Sequence, residues 1–260
     1  MSRLAQTFGG LRARKRGGLV TYVTAGDPNP SASRDVVLAL ADAGADVIEI
    51  GVPFSDPIAD GPVIQRASER ALAAGGSLSS ALDLVSDVRR TIETPIVLFT
   101  YVNPVVRMGT DQFVERAARA GVDGVLLLDL PIEEADDMHA ALDAAGLDTI
   151  FLISPTTATD RLRRAATMGR GFLYAISRLG VTGVRDSVAG TARPVVEQIR
   201  AVTDMPVALG FGISRPEHVR ETCQYADAAV VGSALVQVIA DAAPGDEARA
   251  AGAFVRWLKG

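Results

Sequence analysis

Residues 125–153, VLLLDLPIEEADDMHAALDAAGLDTIFLI, decide the fold. Positions 125–130 form a near-continuous apolar run, 133–145 carry helical spacing, Gly146 closes that stretch, and 149–153 are apolar again. Unbroken runs of Val, Ile and Leu, without polar alternation, read as strands covered on both faces. That is how a parallel sheet looks in sequence.

The same unit recurs in both directions. Apolar runs at 19–23, 47–52, 96–101, 172–176, 207–209 and 228–231 are separated by helical patterns at 31–43, 78–90, 111–120, 159–167, 193–202 and 215–224. Gly44 and Gly121 follow their helices as Gly146 does, where a left-handed residue ends a helix. About eight strands alternating with helices close into a barrel or spread into a doubly wound sheet. No Gly-x-Gly-x-x-Gly follows the first strand, which weakens the dinucleotide-binding sheet. The expected fold class is therefore α/β, a single (β/α)8 TIM barrel with extra short helices, as one domain over residues 1–260. No linker, close repeat or low-complexity stretch divides the chain. Two connections are long, 51–76 after the second strand and 177–191 after the sixth. Loops on that side of the strands build the active sites of barrels.

Composition excludes several classes. A net charge of −5 argues against a basic nucleic-acid surface. The single cysteine, Cys223, cannot form an internal disulfide and reads as a small buried hydrophobe on a helix. Residues 1–18 lack an apolar run of signal-peptide length, and no segment approaches the ~20 apolar residues of a membrane helix. A soluble, cytoplasmic chain is expected. His139 and His218 stand far apart in helical patterns without metal-ligand companions, and are expected at the surface, with no metal site. Trp257 is expected as a packing residue of the last helix.

The chemistry concentrates in residues 45–65, ADVIEIGVPFSDPIADGPVIQ. Glu49 sits inside an apolar strand, between Ile48 and Ile50. Burial there raises a carboxyl pKa toward neutrality, as a general acid/base requires. The alternative is a structural carboxylate tied to backbone donors or an arginine. Asp56 and Asp60 follow on a loop stiffened by Pro53, Pro57 and Pro62. Taken alone, a loop aspartate usually just caps a turn.

This string resembles the signature of the tryptophan synthase alpha chain family, with Glu49, the PFSDP of 53–57 and the ADGP of 59–62 in place. The resemblance continues in family order through VTAGDP (23–28), Tyr101 with Asn103 and Pro104, and DLP (129–131). GRGFLYAISRLGVTG (169–183), GFGIS (210–214) and VGSALV (231–236) complete it. It implies retro-aldol cleavage of indole-3-glycerol phosphate to indole and glyceraldehyde-3-phosphate, with Glu49 as acid/base and Asp60 accepting the ring N–H. Gly183, Phe211, Gly212, Gly232 and Ser233 stand at turns after strands six to eight, where backbone N–H groups can bind phosphate without a cationic side chain. Tyr22, Phe99, Tyr174 and Phe211 are the first candidates for the indole walls. Leu126, Asp129 and Ile153 come behind them, Tyr101 belongs to the same substrate site, and Tyr174 is a candidate hydrogen-bond partner for a carboxylate. Residues 177–191 would move as a lid, with Thr182 contacting the Asp60 loop and Leu179 standing where the family more often has a small polar residue.

The resemblance also implies a beta subunit that carries pyridoxal phosphate, in an alpha-beta-beta-alpha complex, with no cofactor in this chain. Asp56, Pro57 and Asn103 would face that partner. A stand-alone lyase without a beta partner is the nearest alternative. A non-catalytic activating subunit fits poorly with two retained carboxylates, and a sugar-phosphate isomerase leaves residues 53–62 unexplained.

Overall fold

The computed structural model describes residues 1–176, 189–210 and 212–260, with no side-chain description at 189–191. Eight parallel strands close on themselves: β1 (Gly18–Thr24), β2 (Val47–Gly51), β3 (Ile96–Thr100), β4 (Gly124–Leu127), β5 (Asp148–Ile153), β6 (Leu173–Ile176), β7 (Val207–Gly210) and β8 (Ala228–Val231). Pairing of Leu19 with Ala229 and Val20 with Val230 joins β8 back to β1, so no sheet edge remains. The barrel expected from the apolar runs is thus present, with every strand at its expected place.

The first half of the chain supplies helices α1 (Arg3–Ala13), α2 (Pro30–Asp42), α3 (Pro62–Ala73), α4 (Leu78–Val88), α5 (Val102–Met108) and α6 (Thr110–Ala120). The second half supplies α7 (Asp136–Ala144), α8 (Thr159–Met168), α9 (Ala189–Arg200), α10 (Pro216–Thr222), α11 (Ser233–Asp241) and α12 (Glu247–Lys259). Local signals fix their ends. Asn29 caps α2 by accepting the Ala32 N–H at 3.0 Å, with Pro30 supplying the first-turn φ. The three helix-closing glycines, Gly44, Gly121 and Gly146, take φ of 88°, 86° and 74°.

Three expectations change. Residues 51–76 are not one long loop, because α3 forms within them; its apolar residues Ile64, Ala67 and Ala71 recur at helical spacing and are buried. The pattern at 133–145 splits into a short 3-10 turn, Ile132–Glu134, and α7. Residues 1–18 hold α1, whose Leu4, Phe8 and Leu11 are buried.

Strand parity divides the core. Val20, Val47, Val97, Leu126, Ile150, Ala208 and Ala228 from seven strands, and Phe172 just before β6, pack in one cluster with Leu4, Phe8 and Leu11 of α1, with Tyr174 of β6 against it. Side chains from every strand meet only inside a closed barrel, so α1 plugs its base. Intervening residues such as Ile48, Ile50, Ile96 and Leu98 pack outward with α2, α4 and α6.

The plug is held by carboxylates at the strand entrances. Asp46, Asp123 and Asp227 accept the backbone N–H of Leu19, Ile96 and Val207 at 2.9, 2.8 and 2.7 Å. The same three accept Arg16, Arg3 and Arg12 from α1 and its flank, and Ser2 donates to Asp148 at 2.6 Å. Asp123 also binds Arg89, whose side chain is only 11% exposed.

Asp123→Ala would therefore leave a buried guanidinium without its counter-charge, at a cost of about 3 kcal/mol. Arg3→Ala removes a half-exposed partner of the same carboxylate and should cost under ~1 kcal/mol. Urea unfolding of the two variants measures the difference, and equal costs would contradict this account of the base.

Candidate active site

Glu49 lies on the inward parity of β2, in register with Tyr22 of β1 and Val97 of β3. It is fully buried, and neither carboxylate oxygen has a hydrogen-bond partner. The structural alternative of a carboxylate tied to an arginine or to backbone donors therefore fails. Desolvation pushes its pKa up to about 8. At neutral pH this group carries its proton.

Asp60 stands at the end of the loop between β2 and α3, 8% exposed. Its backbone N–H bonds Pro57 O at 3.0 Å, and Gln65 Nε2 donates to its carbonyl at 3.0 Å, which locks the turn before α3. Burial raises its carboxyl pKa to about 6, against the opposing pull of the Tyr101 hydroxyl, which donates to Oδ2 at 2.9 Å. Tyr101, rather than Tyr174, is thus the phenol that binds a carboxylate. The Tyr101 oxygen also accepts the Ala59 N–H at 3.1 Å, so one hydroxyl fixes two points of the loop.

The aromatic candidates converge on these carboxylates. Tyr22 and Phe99 meet edge to face at 5.3 Å, and Phe99 and Tyr174 lie 6.4 Å apart. Burial first, and then the nearby charges of Asp60 and Glu49, push the phenols of Tyr22 and Tyr174 well above their ordinary pKa. Two glycines make room for them. A methyl group on Gly51 would lie 2.1 Å from the Tyr22 hydroxyl, and one on Gly210 would lie 2.5 Å from that of Tyr174.

Other candidates fall elsewhere. Leu126 is fully buried in the inner core below this level, and Ile153 packs outward with Leu162 and Val195. The inward positions one layer higher are Leu128, which packs on the inner core, and Leu152, in register with Tyr174. Sequence reading missed both. Two-residue parity counted from Leu126 and Ile150 was the available signal. Asp129 is exposed, and its carboxylate accepts the Val102 N–H at 2.7 Å, holding the start of α5. Gly212 has φ 60°, and Gly232 immediately precedes α11, which starts at Ser233. Thr182, Gly183 and Phe211, and the expected lid as far as residue 188, lie outside the described residues; positions 189–191 open α9.

Asp56 and Asn103 are exposed and Pro57 is half-buried. Beside them Ile58 is 81% and Val106 63% exposed, large apolar side chains left facing solvent. Phe54 packs against Tyr101 at 5.0 Å, joining this surface to the Asp60 loop.

The histidines depart from expectation. His218 is buried and accepts the Ser214 N–H at 3.4 Å, while His139 is half-buried with Nδ1 3.1 Å from Thr149 Oγ1. Trp257 is half-exposed, packed on Phe254 at 5.6 Å. Cys223 follows α10 and is half-buried, its thiol pushed up to about 11 by desolvation. Among the described residues no cluster of His, Cys, Asp and Glu could hold a metal ion, and no helix is long and apolar enough to cross a membrane.

Comparison with known proteins gives a consistent result. The family model for the tryptophan synthase alpha chain matches residues 8–256. The chain is 50% identical over 260 residues to the tryptophan synthase alpha chain of Geotalea uraniireducens, covering all of this chain and 97% of that one. It is 50% identical over 239 residues to that of Solibacter usitatus, covering 92% and 90%. The crystal structure of tryptophan synthase subunit alpha from Legionella pneumophila superposes with a TM-score of 0.91 at 38% identity, covering 99% and 97%. A structure of Mycobacterium tuberculosis tryptophan synthase superposes with a TM-score of 0.90, also at 38% identity, covering 100% and 99%.

The state of Glu49 has a consequence for stability. Its folded pKa lies above the unfolded value, so its contribution is fully present at low pH and is lost as pH rises from about 4.5 through about 8. Glu49→Gln removes the ionisation while keeping the shape. The variant should lie close to the parent at pH 5 and exceed it by roughly 4 kcal/mol at pH 9. Thermal unfolding at both pH values tests this, and a pH-independent difference would mean that Glu49 is not held neutral.

Proposed function

The chain belongs to the tryptophan synthase alpha chain family, and on that premise we propose that it splits indole-3-glycerol phosphate with Glu49 as proton carrier and Asp60 as fixed negative charge. The observation that carries this assignment is the partnerless, protonated Glu49 inside the barrel mouth, beside an aspartate that titrates lower.

Breaking the bond between indole C3 and the arm is a retro-aldol reaction. Glu49 gives its proton to C3, and the ring becomes an indoleninium cation. The resulting carboxylate then takes the proton of the hydroxyl on the adjoining arm carbon. As that oxygen becomes a carbonyl, the carbon–carbon bond breaks and its electron pair returns to the ring. Indole and glyceraldehyde-3-phosphate are released with Glu49 reprotonated. Asp60, ionised, accepts the ring N–H and lowers the energy of the cation, an interaction strongest where charge develops. These side chains account for every proton, so the chain itself requires no cofactor.

Tyr22, Phe99, Tyr174, Leu128 and Leu152 suit the indole walls, with Phe211 from the sequence reading. The phosphate suits the turns at Gly212 and Gly232, with the start of α11 at Ser233 supplying N–H groups, and Gly183 is the further candidate that the family resemblance implies. Thr182 would act on the Asp60 loop. A beta subunit would cover Ile58 and Val106 around Asp56, Pro57 and Asn103, since exposed apolar side chains of this size favour a partner. Tyr101, which binds Asp60 and begins the segment leading into α5, connects that surface to the site. Asp129 would act through its hold on α5. The alpha-beta-beta-alpha assembly, pyridoxal phosphate on the beta subunit and a cytoplasmic location complete the proposal.

Asp60 must be ionised and Glu49 protonated, so kcat/KM for indole release should be bell-shaped, with limbs near 6 and 8. Tyr101→Phe removes a hydrogen bond that favours the Asp60 carboxylate, so its lower limb should move to higher pH. Glu49→Gln and Asp60→Asn should each lose roughly a hundredfold or more in kcat while retaining substrate binding. Indole release measured from pH 5 to 9, with and without a beta subunit, tests the whole scheme. Full activity in Glu49→Gln would end it, and indifference to the beta subunit would favour the stand-alone lyase.

A further inference from the structure

The phosphate turn and the proton carrier lie on opposite sides of β1. Barrel order runs β8, β1, β2. Gly232 follows β8, and Glu49 belongs to β2. An arm that joins a phosphate at Gly232 to a ring carbon at Glu49 must therefore cross β1.

Tyr22 is the side chain at that crossing. A methyl group on Gly232 would touch its Cβ, Cδ1 and Cγ at 3.6, 3.8 and 3.9 Å, so the base of the phenol lies against the phosphate turn. Its hydroxyl lies at the other side, packed on Gly51 at the end of β2. The phenol thus spans the same gap as the arm. Its hydroxyl is 3.5 Å from Thr24 Oγ1, two residues further along the same face of β1. That is longer than a good O–H···O bond of about 2.5–3.0 Å. Tyr22 and Thr24 are both buried, at 5% and 2% exposure. Two hydroxyls are therefore held in a dry site, loosely bonded to each other, where packing alone would be served equally by phenylalanine and valine.

We propose that the Tyr22 and Thr24 hydroxyls together recognise a hydroxyl of the substrate's three-carbon arm, which makes Tyr22 a specificity-determining residue. The inference rests on the substrate reading above. Burial and the neighbouring carboxylates hold the phenol protonated, so it donates, and a buried donor discriminates strongly against a ligand that leaves it unpaired.

The test compares the full-length chain with its Tyr22→Phe variant on two compounds. One is indole-3-glycerol phosphate; the other is 3-(indol-3-yl)propyl phosphate, which has the same ring, chain length and phosphate but no arm hydroxyl. The variant should raise KM for the first roughly three- to tenfold, with kcat within about twofold. Its inhibition constant for the second should stay within about twofold of the parent's. An unchanged KM would overturn the inference, and so would an equal loss on both compounds, which marks ring packing instead. In either case, indole release by the parent chain leaves the substrate reading standing. A parent that releases no indole removes that reading, and this inference with it.

Discussion

Closure of the sheet is the constraint on which the site depends. Once β8 pairs with β1, alternate residues of every strand face an interior filled by the side chains of the others. A carboxylate placed on that parity loses water and gains nothing unless a donor is built beside it. Glu49 has no such donor, and its raised pKa follows from burial alone. Topology therefore sets the protonation state before any substrate enters.

The two ends of the barrel use carboxylates in opposite ways. At the base, Asp46, Asp123 and Asp227 are each saturated by a backbone N–H and at least one arginine. They fix strand entrances and dock α1, and saturation is what makes them structural. At the mouth, among the described residues, Glu49 has no partner and Asp60 has one phenol and no cation. Unspent hydrogen-bonding capacity is a cost to folding, and it persists where chemistry uses it. A firmly bonded base lets the mouth remain under-bonded.

Much of this was legible in the sequence. The eight apolar runs announced eight strands because each is buried on both faces and carries no competing pattern. Glu49 stood out because a charged residue interrupts such a run. Harder to read were features that depend on which face a residue takes. Ile153 looks like a pocket residue beside Leu152, yet parity sends it outward and Leu152 inward. Asp129 reads as a substrate-site residue, and its carboxylate also accepts the first N–H of α5 across 27 residues, a bond no local pattern announces. His218 sits in an otherwise polar helical pattern and is buried where its helix packs with α12 and β8, a contact no local signal carries. Helix α3 was hidden by the three prolines before it, which suggest an irregular loop; the last of them, Pro62, instead begins the helix.

Desolvation acts on Glu49 and Asp60 in the same direction and raises both carboxyl pKa values. Asp60 starts from a lower carboxyl value and is less completely buried than Glu49, and one hydrogen bond adds to the separation. The Tyr101 hydroxyl favours the charged form of Asp60, while nothing favours the charged form of Glu49, and the two settle near 6 and 8. Around neutral pH Asp60 is largely ionised and Glu49 still holds its proton. The Tyr101 phenol thus widens the gap between the two carboxyl groups. That phenol also binds the Ala59 N–H, packs against Phe54, and stands at the head of α5, whose Val106 is among the most exposed apolar side chains of the described residues. A partner pressing on that surface would act on the residue that favours the charge of Asp60. Control of the site from outside then needs only a small displacement of Tyr101, with no change in the barrel itself.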